Sequence, residues 1–560
     1  MKWTIACWSL ITQTFKFKSF PVRFFSRTWQ RIMTNVGKCA VCGTYASLKC
    51  IACKKVYYCG KEHQKIHWKK GHKSDCKCYE IASNELLGRH LRATRDIKCG
   101  EIIMQELPLI YGPKVASAPL CLGCHSKLPI PENNYYKCRK CAWPLCGPDC
   151  ESREDHIDEC ELMSSRNFTA KIDYIPSKQE MGKKESAYCV ILPLRCLLLK
   201  HKSPEAFKKL LNLEDHLQER IDTPLYKVLK ANLVTFIKII LGMNEWSEED
   251  ILRVAAILDT NAFEVRQPAK ERKVRAVYPM AAMFSHNCIS NARPAFNELM
   301  QIVCIAKTEI AKGDVISISY TQPLKSTLMR RLHLAQAKCF DCVCNRCKDP
   351  TELGIFAGAI LCSRCKVGKI ISTNPLDNSA VWQCQLCPHK LSAKQINLGN
   401  AALQEELNSL NKSSPRFLEE FLLRYRDTLH EKNTHVLQVK YALIQLYGNI
   451  SGFYLHEMND AAIKRKIELC LELLEVADVI DAGWSIFRGN ILMDLQEASV
   501  MQAKNEYLNG LLTREAVQEK LAEAMQLLNE AMNIMKINSD VESLSFERIQ
   551  RLAKELDVDI

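Results

Sequence analysis

Most cysteines in this chain occur in closely spaced pairs, and that spacing constrains the fold more than any other feature of the sequence. The 560 residues include 29 cysteines, most of them in C-x2-C or C-x3-C/H pairs. Such pairs let adjacent turn residues bind one tetrahedral Zn²⁺ ion. Disulfide frameworks belong to short secreted chains, so this long chain with paired ligands indicates a reducing compartment.

The overall composition is that of a globular protein with a substantial core. Hydrophobic residues make up 47% and charged residues 25% of the chain, and the length suits roughly three or four domains. The best candidate for a membrane-spanning helix, Ala231 to Met243, contains Lys238 and falls short of the ~20 apolar residues required. We therefore expect a multidomain protein without a membrane segment.

The net charge of +14 is concentrated at the N-terminal end. Residues 1–78 hold 16 Lys and Arg against two acidic residues, whereas the other 482 hold 61 of each sign. A basic end favours an acidic partner, such as nucleic acid, an acidic protein or a membrane surface. Residues 1–38 lack acidic residues, as mitochondrial transit segments do. We favour a basic extension of a nuclear and/or cytoplasmic protein, with mitochondrial import as the alternative.

The first cysteine block offers eight ligands, enough for two zinc sites of four. Because the loops between the pairs are short, interleaved sites are favoured. One site would use Cys39, Cys42, Cys59 and His63, and the other Cys50, Cys53, His72 and Cys76.

The second cysteine block repeats this pattern and predicts two further interleaved sites. Its eight ligands are Cys121, Cys124, Cys138, Cys141, Cys146, Cys150, His156 and Cys160. Neither block ends in the H-x3-5-H of the base-reading Cys2His2 finger, so DNA reading through these fingers is disfavoured.

Hydrophobic patterns predict strands on both sides of a helical region. Glu101 to Ile110, Ile302 to Ala306 and Val315 to Tyr320 read as strands, the last because it alternates after a glycine turn. Residues 163–258 read as helices. Helical periodicity also dominates from about residue 395 onward, which indicates antiparallel helix pairs.

Several separated segments together resemble the SMYD-type (SET and MYND domain) protein-lysine methyltransferases, over nearly all of residues 38–560. They are Gly88 to Ala93 (GRHLRA), Asn261 to Glu264 (NAFE), Ser285 to Asn291 (SHNCISN), Gly313-Asp314 leading into Ile318 to Tyr320 (ISY), and Cys342 to Cys347 (CVCNRC). Both cysteine blocks are similar to MYND fingers. A finger before the SET domain and a second one inside it resemble the arthropod SmydA branch.

The resemblance implies an α+β multidomain fold in which a zinc finger splits the SET domain. The expected segments are a basic N-terminal extension (1–37), a MYND-type finger (38–78), the N-terminal part of the SET domain (79–120), a second MYND-like finger (121–162), a helical SET insertion (163–258), the core SET domain (259–338), a post-SET zinc motif (339–352), a zinc ribbon (353–392) and a C-terminal helical, TPR-like domain (395–560).

Further zinc ligands follow the SET motifs. The resemblance implies that Cys288 joins Cys342, Cys344 and Cys347 in a post-SET site. Cys362, Cys365, Cys384 and Cys387 read as a separate zinc ribbon. With both fingers, 21 cysteines and three histidines then supply 24 ligands, which corresponds to about six zinc ions of four ligands each.

The implied activity is S-adenosylmethionine-dependent methylation of a protein lysine, on a histone tail or another protein. Tyr320 takes the position of the family's catalytic tyrosine. The implied cofactor-binding residues are Gly88, Arg89, His90, Asn261, Ser285, His286, Asn291 and Phe340. The expected context is chromatin regulation and transcription repression, with MYND fingers binding proline-containing co-repressor peptides, and the expected state is a monomer.

The chain departs from the family pattern at four positions. His90 replaces a glycine, Ser285 an asparagine, Ser290 a proline, and Lys338 an aromatic wall of the lysine channel. A cation at Lys338 would repel an incoming lysine. An imidazole at His90 would enter the cofactor space, so we expect His90→Gly to tighten cofactor binding by about tenfold. The alternative function is a catalytically weak or inactive SET/MYND scaffold that recruits transcriptional co-repressors.

Overall fold

The computed structural model describes residues 37–50, 56–72, 76–114, 120–128, 135–170, 187–267, 272–536 and 544–556. The chain divides into two compact units, one that ends at Lys77 and one that begins at Cys78. The predicted ligand Cys53 lies outside the described residues. So does the basic extension up to residue 36, with its possible nucleic-acid contact and its similarity to a transit segment.

The first unit is a small finger of two hairpins and one helix. Its elements are β1 (Gly37–Lys38), β2 (Tyr45–Ala46), β3 (Leu48–Lys49), β4 (Tyr57–Tyr58), α1 (Lys61–His67) and a π-helical turn (Trp68–His72). Strand β1 pairs antiparallel with β2, and β3 pairs with β4. The core of the finger holds five buried residues, three of which are cysteines. A core of this size needs a bound metal ion for stability.

The strands of the second unit are short and form several small sheets. They are β5 (Tyr79–Asn84), β6 (Gly88–Ala93), β7 (Ile102–Glu106), β8 (Ile110–Gly112), β9 (Tyr136–Lys137), β10 (Pro144–Leu145), β11 (Phe263–Gln267), β12 (Arg272–Val277), β13 (Ser285–His286), β14 (Ala292–Phe296), β15 (Ile302–Ala306), β16 (Val315–Ile318), β17 (Ile360–Leu361), β18 (Lys369–Ser372), β19 (Trp382–Cys384) and β20 (Lys390–Leu391).

Three of these sheets make up the SET region, with strand orders β13-β16-β6-β5, β14-β15-β7 and β11-β12-β8. The predicted strand Ile302 to Ala306 is confirmed. The strand that begins at Val315 ends two residues earlier than predicted, at Ile318. The predicted strand Glu101 to Ile110 is interrupted between β7 and β8, where Pro108 has no N–H for a sheet ladder.

Helices surround the sheets and form the C-terminal region. They are α2 (Glu154–Ser165), α3 (Ile191–Lys202), α4 (Pro204–Leu211), α5 (Leu217–Arg220), α6 (Pro224–Leu229), α7 (Glu248–Asn261), α8 (Thr327–Lys338), α9 (Asn345–Lys348), α10 (Ala393–Ser409), α11 (Pro415–Tyr425), α12 (Thr434–Leu446), α13 (Asp460–Ile480), α14 (Ile486–Leu508), α15 (Arg514–Met535) and α16 (Leu544–Glu555). Single π-helical turns (Lys230–Val234, Phe236–Ile240) and 3-10 turns (Pro148–Cys150, Ala187–Val190, Ala281–Met283) complete the set.

The second finger packs as part of the SET core. Leu122, Trp143, Leu145 and Met163 are each at most 1% exposed and belong to the same hydrophobic cluster as the SET strands and the helical insertion. Burial of such large side chains stabilises a fold by about 2 kcal/mol each. This finger is therefore a structural component of the SET domain.

The C-terminal helices α10 to α16 follow the zinc ribbon, and together with the sheets they give the predicted α+β fold. Helix α10 begins with a capping box, in which Ser392 and Gln395 satisfy each other's backbone N–H groups. In the helical core, the ammonium of Lys466 is fully buried against the Asp494 carboxylate at 2.7 Å. Within the described ranges, no helix is long and apolar enough to cross a membrane.

Candidate active site and metal centres

A cleft of about 320 Å³ lies where distant segments of the SET region meet. Its lining comprises residues 86–89, Glu214, His216, residues 260–261, residues 282–286, Tyr320, Lys338 and Phe340. Six of the eight predicted cofactor residues line it, together with the predicted catalytic tyrosine. The structure thus brings together Gly88, Arg89, Asn261, Ser285, His286, Phe340 and Tyr320.

One wall of the cleft begins at the start of strand β6. Gly88 has a φ of +60°, a left-handed conformation that favours glycine. The next residue, Arg89, donates from Nη2 to the carbonyl oxygen of Asn212 at 2.7 Å. This bond fastens the helical insertion to the strand at the rim of the cleft.

The C-terminal end of helix α7 also lines the cleft. Asn261, its last residue, donates from Nδ2 to the carbonyl oxygens of Glu214 at 2.7 Å and Ile257 at 2.8 Å. Both bonds use the amide nitrogen, which leaves Oδ1 as the acceptor that the side chain can offer to a ligand.

The floor of the cleft is the segment from Ala282 to His286. The Glu106 carboxylate accepts hydrogen bonds from the backbone N–H groups of Met280 at 3.1 Å and Ala281 at 2.9 Å, so it fixes the turn that precedes this segment. Ser285 Oγ is buried and has no hydrogen-bond partner within the described part of the chain. A buried hydroxyl is costly when unpaired, which indicates that a ligand in the cleft would bind it.

Tyr320 lies at the centre of an aromatic group. Its ring centroid is 5.2 Å from that of His286 and 6.5 Å from that of Phe340. The phenol donates a hydrogen bond to the carbonyl oxygen of Phe284, and burial raises the pKa of Tyr320 above its usual range. The hydroxyl is therefore neutral at pH 7, and its position is fixed by the floor segment.

His286 connects the tyrosine to the post-SET cysteines. Its Nδ1 accepts a hydrogen bond from the Tyr320 backbone N–H at 3.0 Å, and its Nε2 lies 3.3 Å from Cys288 Sγ. Burial lowers the pKa of His286 to about 4. The neutral ring then carries its proton on Nε2, which faces the sulfur.

Lys338 contributes an amine to the cleft. Helix α8 ends at Lys338, and Cys339 follows with a φ of +57°, which turns the chain so that both Lys338 and Phe340 line the cleft. The ammonium donates to the carbonyl oxygens of Thr260 at 2.7 Å and Asp259 at 3.1 Å, and it lies 5.7 Å from the centroid of the Tyr320 ring. Burial, with Arg275 and Arg220 nearby, lowers the pKa of Lys338 to about 8.

Three positions singled out from the sequence are not brought to the cleft. Successive side chains of a strand point to opposite faces, so His90 points away from the face on which Arg89 lines the cleft. His90 is 3% exposed, with Nδ1 3.0 Å from the Gly88 carbonyl oxygen. Asn291 bonds strand β16 through Val315 O and Ser317 N, and Ser290 is buried outside the cleft.

The post-SET cysteines form a set of four sulfur donors beside the cleft. The sulfurs of Cys288, Cys342, Cys344 and Cys347 all lie within 4.8 Å of one another, and Cys288 Sγ is 3.6 Å from Cys347 Sγ. Four thiolates at these separations fit Zn²⁺. The ion would join the cleft floor to the chain that carries Phe340.

A buried charge network surrounds these thiols, and sequence reasoning missed it. Arg330 donates from Nε to Cys288 Sγ at 3.2 Å and from Nη1 to the Glu352 carboxylate at 2.7 Å. Arg346 is 3.2 Å from the same carboxylate. Burial alone would raise the pKa of Glu352, but the two guanidinium groups hold it below its usual value. The sequence indicates Arg330 only as a charged residue within the amphipathic helix α8, with no sign of its partner.

Four further sets of cysteine and histidine donors lie together in the structure. The structure groups Cys39, Cys42, Cys59 and His63; Cys121, Cys124, Cys146 and Cys150; Cys138, Cys141, His156 and Cys160; and Cys362, Cys365, Cys384 and Cys387. The second finger is therefore interleaved. For the remaining set, Cys50 Sγ and Cys76 Sγ lie 3.5 Å apart, and His72 is buried. Together with the donor chemistry, these groupings indicate zinc.

Comparisons with known proteins agree with this architecture. Residues 39–76 match the family model of the MYND finger, and residues 88–321 match that of the SET domain. SET domain-containing protein SmydA-8, isoform A, of Drosophila melanogaster is 29% identical over 362 residues, which cover 60% of this chain and 74% of that protein.

Two further relatives are named as methyltransferases. Histone-lysine N-methyltransferase ASHR1 of Arabidopsis thaliana is 24% identical over 354 residues, 60% of this chain and 69% of that protein. Histone-lysine N-methyltransferase SMYD3 of Mus musculus is 24% identical over 284 residues, 47% of this chain and 59% of that protein. The resemblance predicted from the sequence is therefore confirmed: the chain combines a MYND finger with a SET domain, as SMYD-type proteins do.

Proposed function

We propose that this chain is an S-adenosylmethionine-dependent protein-lysine N-methyltransferase. The observation that carries the proposal is the cleft in which Tyr320 lies among six of the predicted cofactor residues. The residues fit this cofactor because the cleft offers an aromatic face at Phe340, an acceptor at Asn261 and an unpaired hydroxyl at Ser285. When bound, the cofactor would supply an electrophilic methyl group for in-line displacement by a lysine amine.

The chain's own residues would hold and orient the acceptor. Because Tyr320 donates its proton to the Phe284 carbonyl oxygen, the phenol oxygen keeps lone pairs to accept a hydrogen bond from the substrate amine. The Phe340 and His286 rings limit the water around that amine, which favours its neutral, nucleophilic form. The post-SET metal would fix this wall by joining Cys288 to Cys342, two residues after Phe340.

The proposed substrate class is taken from the similar proteins, two of which are named as histone-lysine methyltransferases. We propose a histone tail or another protein lysine as acceptor, and a role in gene regulation. Binding of proline-containing co-repressor peptides is assigned to the first finger, where Tyr45 is 78% and Leu48 is 54% exposed. The large apolar residues of the second finger, Trp143 among them, are buried in the SET core.

A second function is a catalytically weak or inactive SET/MYND scaffold. Lys338 favours it, because the family's aromatic channel wall is replaced here by an amine that is held 5.7 Å from the centroid of the Tyr320 ring. A charged amine at this position would repel a lysine substrate.

Calorimetric titration of S-adenosylmethionine into the zinc-loaded chain tests the proposal, followed by transfer of labelled methyl groups to histones and to total protein. Phe340→Ala should weaken cofactor binding by about tenfold. The matched control Phe417→Ala removes a ring that is 41% exposed on helix α11 and should leave binding unchanged. Cofactor binding without methyl transfer would support the scaffold function. Failure of the unmodified chain to bind S-adenosylmethionine would contradict the methyltransferase proposal.

A further inference from the structure

The zinc ribbon exposes two aliphatic side chains next to its metal-binding turns. Val367 is 73% exposed and Leu386 is 69% exposed, and each follows a cysteine ligand by two residues. The turns abut, since a Cβ placed on Gly368 would lie 3.2 Å from Leu386 Cβ and 2.3 Å from Cys384 Sγ. Gly368, which follows Val367, thus lies against the turn of Leu386, so the two exposed aliphatic residues stand on abutting turns of the ribbon. We call this pair of residues the apolar spot.

Basic side chains accompany this apolar spot. Residues 360–394 contain five Lys and Arg against one acidic residue, Asp377. Arg364, Lys366 and Lys390 are exposed, and within the described ranges no carboxylate forms an ion pair with any of them. Their charges are available to a partner.

The ribbon offers no aromatic platform for nucleic-acid bases. Of its two aromatic residues, Trp382 is 8% exposed, and the ring of Phe356 is covered by the Lys369 ammonium 3.8 Å from its centroid. Proteins that bind single-stranded nucleic acid combine positive charge with exposed aromatic rings on which bases stack. The exposed residues here are aliphatic, which suits a protein side chain.

We propose that this surface, formed by Val367, Leu386, Arg364, Lys366 and Lys390, binds an acidic segment of a partner protein. An aliphatic side chain of the segment packs between Val367 and Leu386, and its carboxylates face the three cations. Burial of the aliphatic contact supplies affinity, and the charge pattern selects acidic over basic segments. None of these residues lines the cofactor cleft, so the surface is separate from the proposed methyl transfer.

Fluorescence anisotropy with the zinc-loaded full chain tests the surface. The probe is a short labelled peptide with a Leu-Ile pair flanked by glutamates. A second peptide carries Ser-Ser in place of Leu-Ile, and a third probe is labelled single-stranded DNA. Combined Val367→Ser and Leu386→Ser substitutions, and Lys366→Glu separately, should each weaken binding of the first peptide by about tenfold, or ~1.4 kcal/mol.

Leu511→Ser is the matched control, because Leu511 is also 73% exposed but follows helix α14. It should leave peptide binding unchanged, and zinc content should be equal in all variants. The Ser-Ser peptide should bind about tenfold more weakly than the Leu-Ile peptide. The proposal is overturned if the Leu-Ile peptide fails to bind, if the ribbon variants bind it normally, or if the ribbon substitutions weaken DNA binding as much as they weaken peptide binding.

Discussion

The Nε group of Arg330 lies 3.2 Å from the Cys288 sulfur, within a fully buried network. The same guanidinium contacts Cys347 Sγ at 3.5 Å and the Glu352 carboxylate at 2.7 Å. A zinc ion with four thiolates carries a net negative charge, and a buried charge needs a partner. Arg330 thus compensates the negative charge of both the metal centre and the Glu352 carboxylate.

Arg330→Met should destabilise the protein and release post-SET zinc. The substitution keeps much of the side-chain volume but leaves Glu352 with Arg346 as its cationic partner, and it removes the guanidinium that hydrogen-bonds the thiolates. We expect a loss of about 3 kcal/mol in denaturant unfolding, and faster zinc transfer to a chelator. The control Arg416→Met removes an ion pair whose arginine side chain is 80% exposed and should cost at most about 0.5 kcal/mol. Equal effects of the two variants would contradict the assigned role.

Tyr320→Phe should reduce methyl transfer by about tenfold or more, with a stability loss of about 1 kcal/mol for the hydrogen bond to Phe284. Tyr278→Phe is a matched control, because its buried hydroxyl also bonds a backbone carbonyl, that of Met300, but lies outside the cleft. It should lose similar stability and keep the transfer rate, measured with labelled S-adenosylmethionine. A Tyr320→Phe rate equal to that of the unmodified chain would show that the Tyr320 hydroxyl is not catalytic.

Most of the metal centres could be predicted from the sequence because their ligands come in local pairs, whereas Cys288 of the post-SET site was implied by the resemblance. The pairs Cys362-x2-Cys365 and Cys384-x2-Cys387 each bring two sulfurs to one turn. The inference that remained was which two turns share a zinc ion. The cleft depended instead on resemblance, because Gly88, Asn261 and Tyr320 come from segments far apart in the chain. No periodicity or spacing rule brings these segments together.

Other features depend on side-chain direction, which the sequence did not reveal. The pairing of Arg330 with Glu352 requires helix α8 and the post-SET loop to pack face to face. The burial of Trp143 requires the second finger to be part of the SET core. Both depend on tertiary packing, which local patterns do not encode.

His90→Gly should leave S-adenosylmethionine affinity within about twofold, contrary to the tightening expected from the sequence. The imidazole is 3% exposed and does not line the cleft, so its removal frees no cofactor space. Stability should fall by about 1 kcal/mol from glycine in a strand, plus the lost burial. Calorimetric titration of S-adenosylmethionine into both forms is the measurement. A tenfold gain in affinity would place the ring in the cleft after all.

Elemental analysis should give close to six zinc ions per chain. Five donor sets are complete in the described residues, and the sixth would add Cys53 to Cys50, His72 and Cys76.

Cys384→Ser should remove one ion and leave cofactor binding intact, because the ribbon does not line the cleft. Cys288→Ser should remove one ion and abolish methyl transfer. A reproducible value of four or fewer for the unmodified chain would contradict the ligand assignments.

Lys338→Met should increase methyl transfer to a lysine peptide several-fold at pH 7, and the increase should shrink as the pH rises. With its pKa lowered to about 8, Lys338 is mostly charged at pH 7 and repels the acceptor, whereas above pH 8 it is mostly neutral. The charged or titratable groups around it include Arg220, Arg275, Asp259 and Cys339, together with His333 and Tyr320. The ratio of the two rates from pH 7 to 9 cancels the ionisation of the peptide itself.

One further variant separates charge from the hydrogen bonds that the ammonium makes at the end of helix α7, and a second variant is a control at a cation outside the cleft. Lys338→Gln keeps a donor for the Thr260 and Asp259 carbonyl oxygens but removes the charge, so it should match Lys338→Met in rate and exceed it in stability. Lys200→Met removes a cation that lies over Trp246, 4.6 Å from its ring centroid, and should leave the rate unchanged. A rate ratio that stays constant with pH, or a slower Lys338→Met protein at every pH, would show that the amine does not repel the acceptor.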